Sequence, residues 1–74
     1  MTRLPTLTDR KVVAALKRAG FVEHHQRGSH LYLWHPTKKR LTTVPMHDRD
    51  LHRGVLKAIL KQADLSEVEF HKLV

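Results

Sequence analysis

Seven histidines in a chain of 74 residues are the first feature with chemical content, because imidazole takes up and releases protons near neutral pH. His30 completes the tripeptide Gly28-Ser29-His30. A glycine there would let backbone approach an anion closely, and Ser29 would add a hydroxyl and an N–H. His30 itself would stand on the first residue of a strand, a rigid mount. Breaking an RNA phosphodiester needs a base for the attacking hydroxyl or water and an acid for the leaving 5′-oxygen. It also needs groups that take up charge growing on the phosphate. Taken by itself, the same tripeptide also describes an ordinary hairpin turn followed by an inert histidine. His47, after Val44-Pro45-Met46, is the second candidate. Its imidazole would bind phosphate or assist proton transfer, or it would merely cap loop backbone.

Metal chemistry is poorly served by these histidines. The pairs His30/His35 and His47/His52 are five apart, where a helix needs four and a strand turns the two to opposite faces. Cysteine is absent, so a zinc site would have to be gathered across elements from imidazoles and few carboxylates. The expectation is no metal and no small-molecule cofactor. The missing cysteines also remove disulfides and thiolate nucleophiles, and they suit a reducing cytoplasm.

Fourteen Lys and Arg against seven Asp and Glu leave a formal charge of +7, a strong field for so small a body and one that favours polyanions. Nucleic acid is the commonest polyanion, with an anionic membrane surface or an acidic protein as alternatives. Arg27, Lys38, Lys39 and Arg40 fall in the two expected hairpin turns, and Lys57 and Lys61 share one side of a helix. These six would contact phosphates along a shallow groove, or they would keep the turns and the helix solvated.

The elements that must position these groups follow from periodicity. Met1 to Leu7 reads as a leader. Thr8 is placed to cap a helix with Asp9 in its first turn, an apolar stripe of Val12, Val13, Leu16 and Ala19, and Gly20 as the stop. Phe21 to Gln26 reads as a strand and Arg27-Gly28-Ser29 as a turn. His30 to His35 is a strand with His30, Tyr32 and Trp34 on one face and Leu31 and Leu33 on the other. His35 to Arg40 is a basic hairpin loop, and Leu41 to Pro45 a third strand that Pro45 closes or confines to an edge. After a polar loop from Met46 to Asp50, a second helix runs from about Leu51 to Ala63 and buries Val55, Leu56, Ile59 and Leu60. Ser66-Glu67-Val68-Glu69 fits a capping box for a short helix ending near Leu73. Strands in hairpin order with helices at both ends imply an α+β domain, helices packed on one face of an antiparallel sheet. The open face would then carry His30, Tyr32 and Trp34, which could stack bases or simply cover the sheet.

One domain spanning 1–74 is all this length allows, with about 60% of the unfolded chain's surface buried and a thin stability margin. A site should be shallow. There is no signal-peptide pattern and no apolar run long enough to span a bilayer, so a cytoplasmic protein without membrane attachment is expected.

Four blocks carry a family resemblance: Leu16-Lys17-Arg18-Ala19-Gly20-Phe21, Gly28-Ser29-His30, Val44-Pro45-Met46-His47, and Gly54-Val55-Leu56-Lys57-Ala58-Ile59-Leu60-Lys61-Gln62-Ala63. In this order and spacing, from Thr8 to about Phe70, the chain resembles the HicA toxins of bacterial and archaeal toxin–antitoxin pairs. The resemblance implies a double-stranded-RNA-binding-domain-like α-β-β-β-α fold. It implies a metal-independent, ribosome-independent mRNA interferase whose essential histidine matches His30, with Gly28 needed beside it. It also implies a HicB-type antitoxin that covers the RNA-binding face. Two positions depart from the pattern. Many relatives carry a second histidine where this chain has Leu31, which leaves the proton partner of His30 open, and the usual glycine after the second helix is Asp64. The fold alone suits a non-catalytic double-stranded-RNA binder equally well, or a regulatory or DNA-binding subunit. Growth arrest on expression separates the ribonuclease toxin from these others.

Overall fold

The structure, a computed structural model, describes residues 7–47 and 50–74. Most of the expected leader (residues 1–6) and part of the expected polar loop (residues 48 and 49) therefore lie outside the described residues. The element order is α1 (Asp9–Arg18), β1 (Val22–Arg27), β2 (His30–His35), β3 (Arg40–Pro45), α2 (Arg53–Ala63) and α3 (Glu67–Leu73). The strands form one antiparallel sheet in the order β1-β2-β3. This is the expected α+β arrangement, α-β-β-β-α with a short C-terminal helix.

Local chemistry accounts for the helix ends. Thr8 is the N-cap of α1, its Oγ1 accepting the Lys11 N–H, while Lys17 and Arg18 occupy the last turn where cations meet the helix dipole. Gly20 follows with φ +107°, a conformation suited to glycine. The capping box of α3 is fully made: Ser66 accepts from the Glu69 N–H and Glu69 accepts from the Ser66 N–H. Those bonds to Ser66 hold the Glu69 carboxyl below its ordinary value of 4.5. At the end of α2, Asp64 takes the left-handed position, φ 57° and ψ 43°, that a glycine would fill more easily. The departure from the family pattern thus changes the residue but not the backbone.

The core lies between the helices and one face of the sheet. Leu31, Leu33 and Val44 meet Val12, Leu16, Leu56, Ile59, Leu60 and Phe70, all buried. Thr42 is buried with them and donates to the Ile59 carbonyl, so its hydroxyl is satisfied. Arg18 donates to the Leu73 carbonyl and ties α3 to α1.

Several boundaries and faces differ from expectation. Leu7, assigned to a leader, is a core residue at 6% exposure. Its carbonyl accepts the Leu51 N–H, and Thr8 bridges Asp50. That extended pairing delays α2, which starts at Arg53 rather than near Leu51. Val55 is 37% exposed rather than buried. The buried stripe of α2 is Leu56, Ile59, Leu60 and Ala63, and Val55 sits at its margin. Phe21 is buried just before β1 instead of within it, and Arg27 and Arg40 belong to strands rather than to turns.

Register defines the open face. Val22, Trp34 and Leu41 are direct cross-strand partners in one row. His25, Tyr32 and Thr43 form the next row, and Arg27, His30 and Pro45 the last. A bulge between Glu23 and His25 brings the His24 ring to 5.1 Å from His25, and His25 lies parallel to Tyr32 at 4.4 Å.

Candidate active site

The turn between β1 and β2 is two residues long, with Arg27 paired to His30 across it. Gly28 has φ +60°, and Ser29 is not among the residues with positive φ. A positive φ at the first central position alone is the type II′ pattern, whose twist matches that of the flanking strands and which favours glycine there. The space above Gly28 is open: a Cβ built on it would meet no heavy atom within 4 Å. His30, on the first residue of β2, is exposed. His30 thus stands directly on a tight two-residue turn, with its side chain exposed.

His47 reaches the same end of the sheet. Pro45 pairs with His30, and the Met46 N–H donates to the Ser29 carbonyl, so β3 leaves the sheet beside the turn. Asp9 then fixes the next residue. Its side chain is fully buried, Oδ1 accepting the Arg10 N–H at 2.7 Å and Oδ2 the His47 N–H at 2.7 Å. The His47 ring itself is exposed, and what fixes the loop is its backbone, not its imidazole. Beside it a shallow hollow opens, lined by Pro45, His47, Asp50, Leu51, His52 and Val55. Gly28, Ser29, His30, His47 and Arg27 thus gather at one end of the sheet.

The other expected cations do not join them. Lys38 and Lys39 occupy the turn at the opposite end, where Lys38 Nζ donates to the Asp64 carbonyl, and Arg40 starts β3 beside them. Five residue steps of strand, about 17 Å, separate that end from His30. Lys57 and Lys61 are exposed along α2.

Two residues with positioning roles were missed by pattern. Asp9 was read as a first-turn carboxylate only, and no local signal announces a partner 38 positions away. His35 was read both as the end of the second strand and as the start of the basic loop, without a positioning role; it is the last residue of β2, on the core side. Its Nε2–H donates to the Ala19 carbonyl at 3.1 Å, and Nδ1 accepts the Lys38 N–H at 3.0 Å. Its ring stands edge-on to Phe21 at 5.0 Å. The alternation with Leu31 and Leu33 was the available signal, since His35 shares their parity. Among the described residues no group of three or more His, Cys, Asp or Glu side chains could hold a metal ion.

The domain is basic, with an exposed histidine at a glycine-containing hairpin end and a second exposed histidine on the strand exit beside it. The sequence places it more narrowly. Residues 10–65 match the family described as the HicA toxin of bacterial toxin–antitoxin systems, and the chain belongs to that family. It is thus a toxin-type component of such a pair, and family membership implies a partner antitoxin. A search of curated proteins returned no match. No helix among the described residues is long and apolar enough to cross a membrane.

Proposed function

We propose that the protein is a cytoplasmic endoribonuclease toxin that cleaves mRNA without a metal ion or the ribosome, with His30 as its catalytic residue and a HicB-type antitoxin as its restraint. The observation that carries this is the gathering of Gly28, Ser29, His30, His47 and Arg27 at one sheet end in a chain of the HicA family. Cleavage requires one proton to leave the attacking hydroxyl and one to reach the departing 5′-oxygen. His30 performs one of these transfers, and His47 is the second imidazole within the same loop cluster. The N–H groups of the turn and Arg27 take up charge developing on the phosphate, with open space above Gly28 for it. Lys57 and Lys61, and the cations at the far turn, contribute affinity rather than rate.

The test is a denaturing gel of a folded messenger transcript incubated with the wild type or His30→Ala, with EDTA present. Discrete fragments from the wild type and a rate lower by about 10²–10⁴ for the variant, with gel-shift affinity retained, support the proposal. Intact RNA in both lanes alongside a native gel shift would make the protein a non-catalytic RNA binder.

A further inference from the structure

We propose that the open face of the sheet is a stacking track for unpaired nucleotides, so that the substrate of the site is single-stranded rather than duplex RNA. This rests on the proposed role of His30 and adds what lies beside it. The face is graded along β2. His30 stands in the first row with Arg27 and Pro45. Tyr32 stands in the middle row with His25 and Thr43, and Trp34 in the last row with Val22 and Leu41.

Three features of that face suit bases. Trp34 is flanked by Val22 at 49% and Leu41 at 44% exposure, so a ring laid on it would also cover apolar surface now in water. The bulge in β1 brings His24 beside His25, which stacks flat on Tyr32 at an interplanar angle of 9°, so the middle row already holds one ring-on-ring stack of the kind a base would add to. None of the nine register positions is a carboxylate, so nothing on the face repels a phosphate backbone. A cation marks the His30 end, where Arg27 shares the first row of the face.

Geometry denies a duplex the stacking contacts of this surface. Same-face residues along a strand stand about 7 Å apart, which gives separate platforms for separate bases. A base must be unpaired and splayed to use them. In an A-form helix the bases are stacked on one another, and a flat sheet would touch only sugars and phosphates. Stacking is also indifferent to base identity, which fits a track that feeds many sequences past one histidine.

Trp34 is the chain's single tryptophan, so its emission reports this face alone. The full-length His30→Ala protein is titrated with a short oligouridylate and, separately, with a blunt RNA duplex of equal length. Saturable quenching of Trp34 by the oligouridylate, with weaker binding of the duplex and little quenching, is expected. By anisotropy of labelled oligouridylate, Trp34→Ala should weaken binding by about 10- to 100-fold, and Trp34→Phe should restore most of it. Duplex binding should be unchanged in both variants. Unquenched emission at saturating oligouridylate, or equal affinity in Trp34→Ala, would overturn the track and leave the face to a protein partner. The quenching arm leaves Trp34 and its row unchanged, so a misfolded Trp34 variant cannot decide it. Because binding is read without cleavage, the outcome is separable from the role of His30. A wild type whose cleavage depends on His30 while Trp34 stays silent would refute only the track.

Discussion

Gly20→Ala should be among the most damaging small substitutions in this protein, for reasons the structure quantifies. Gly20 has φ +107°, and a Cβ there would lie 2.7 Å from His35 Nε2 and 3.3 Å from Cδ2. The ring cannot swing away freely, because Nε2 donates to Ala19, Nδ1 accepts from Lys38, and the ring edge packs on Phe21. Backbone strain for a non-glycine residue costs about 1–3 kcal/mol, and displacing the ring forfeits hydrogen bonds of about 1 kcal/mol each. The sum is about 2–5 kcal/mol, comparable with the whole margin of about 3–5 kcal/mol expected of so small a core. Gly28→Ala is the internal control. It has positive φ but an empty surrounding, so only the backbone strain of about 1–3 kcal/mol applies. Urea unfolding followed by Trp34 emission measures both. A Gly20→Ala protein no less stable than Gly28→Ala would refute the clash. The double variant Gly20→Ala/His35→Ala adds a second check: if the ring is the obstacle, the two losses combine to much less than their sum.

Two further perturbations probe the site's supports. Asp9→Ala strands the N–H groups of Arg10 and His47 and should cost about 2–4 kcal/mol. Asp9→Asn, with one acceptor oxygen left, should cost less, and thermal unfolding that finds all three proteins equal would show these bonds to be idle. Glu69 supplies a pH dependence. Its folded carboxyl titrates below the ordinary 4.5, so its contribution is present above that value and fades as pH falls through the lower folded one. The stability difference between wild type and Glu69→Gln should therefore shrink as pH is lowered from about 6 toward 3, and a difference that grew on acidification would contradict the capping role.

The architecture was legible in the sequence because each element obeys one periodicity. Alternation separated Leu31 and Leu33 from Tyr32 and Trp34, and the caps at Thr8 and Ser66 are spelled by residue type. Errors arose where a tertiary partner overrode the local pattern. Leu7 looks like a terminus until Leu51 pairs with it, and that pairing moves the start of α2. Val55 fits a helical stripe whose centre lies elsewhere. The geometry of the candidate site was legible in part: the place of Gly28-Ser29-His30 at a hairpin end follows from its turn residues, whereas the position of His47 depends on cross-strand register and on Asp9 from the far end of the chain.

That dependence bears on how a chain with so small a core can hold the candidate site still. Rigidity at the His30 end comes from three short-range constraints rather than from depth of burial. The type II′ turn sets the start of β2, the Met46–Ser29 bond pins the exit of β3, and the Asp9 carboxylate holds His47 against the first turn of α1. Each acts on backbone, leaving the imidazoles of His30 and His47 exposed. Surface placement admits a long polymer that an enclosed pocket would exclude, and it forgoes the gain that electrostatic contacts make in a dry cavity. On the proposed reading, such a site suits slow, sequence-tolerant cutting, in which one histidine's contribution suffices because a message is inactivated by few breaks.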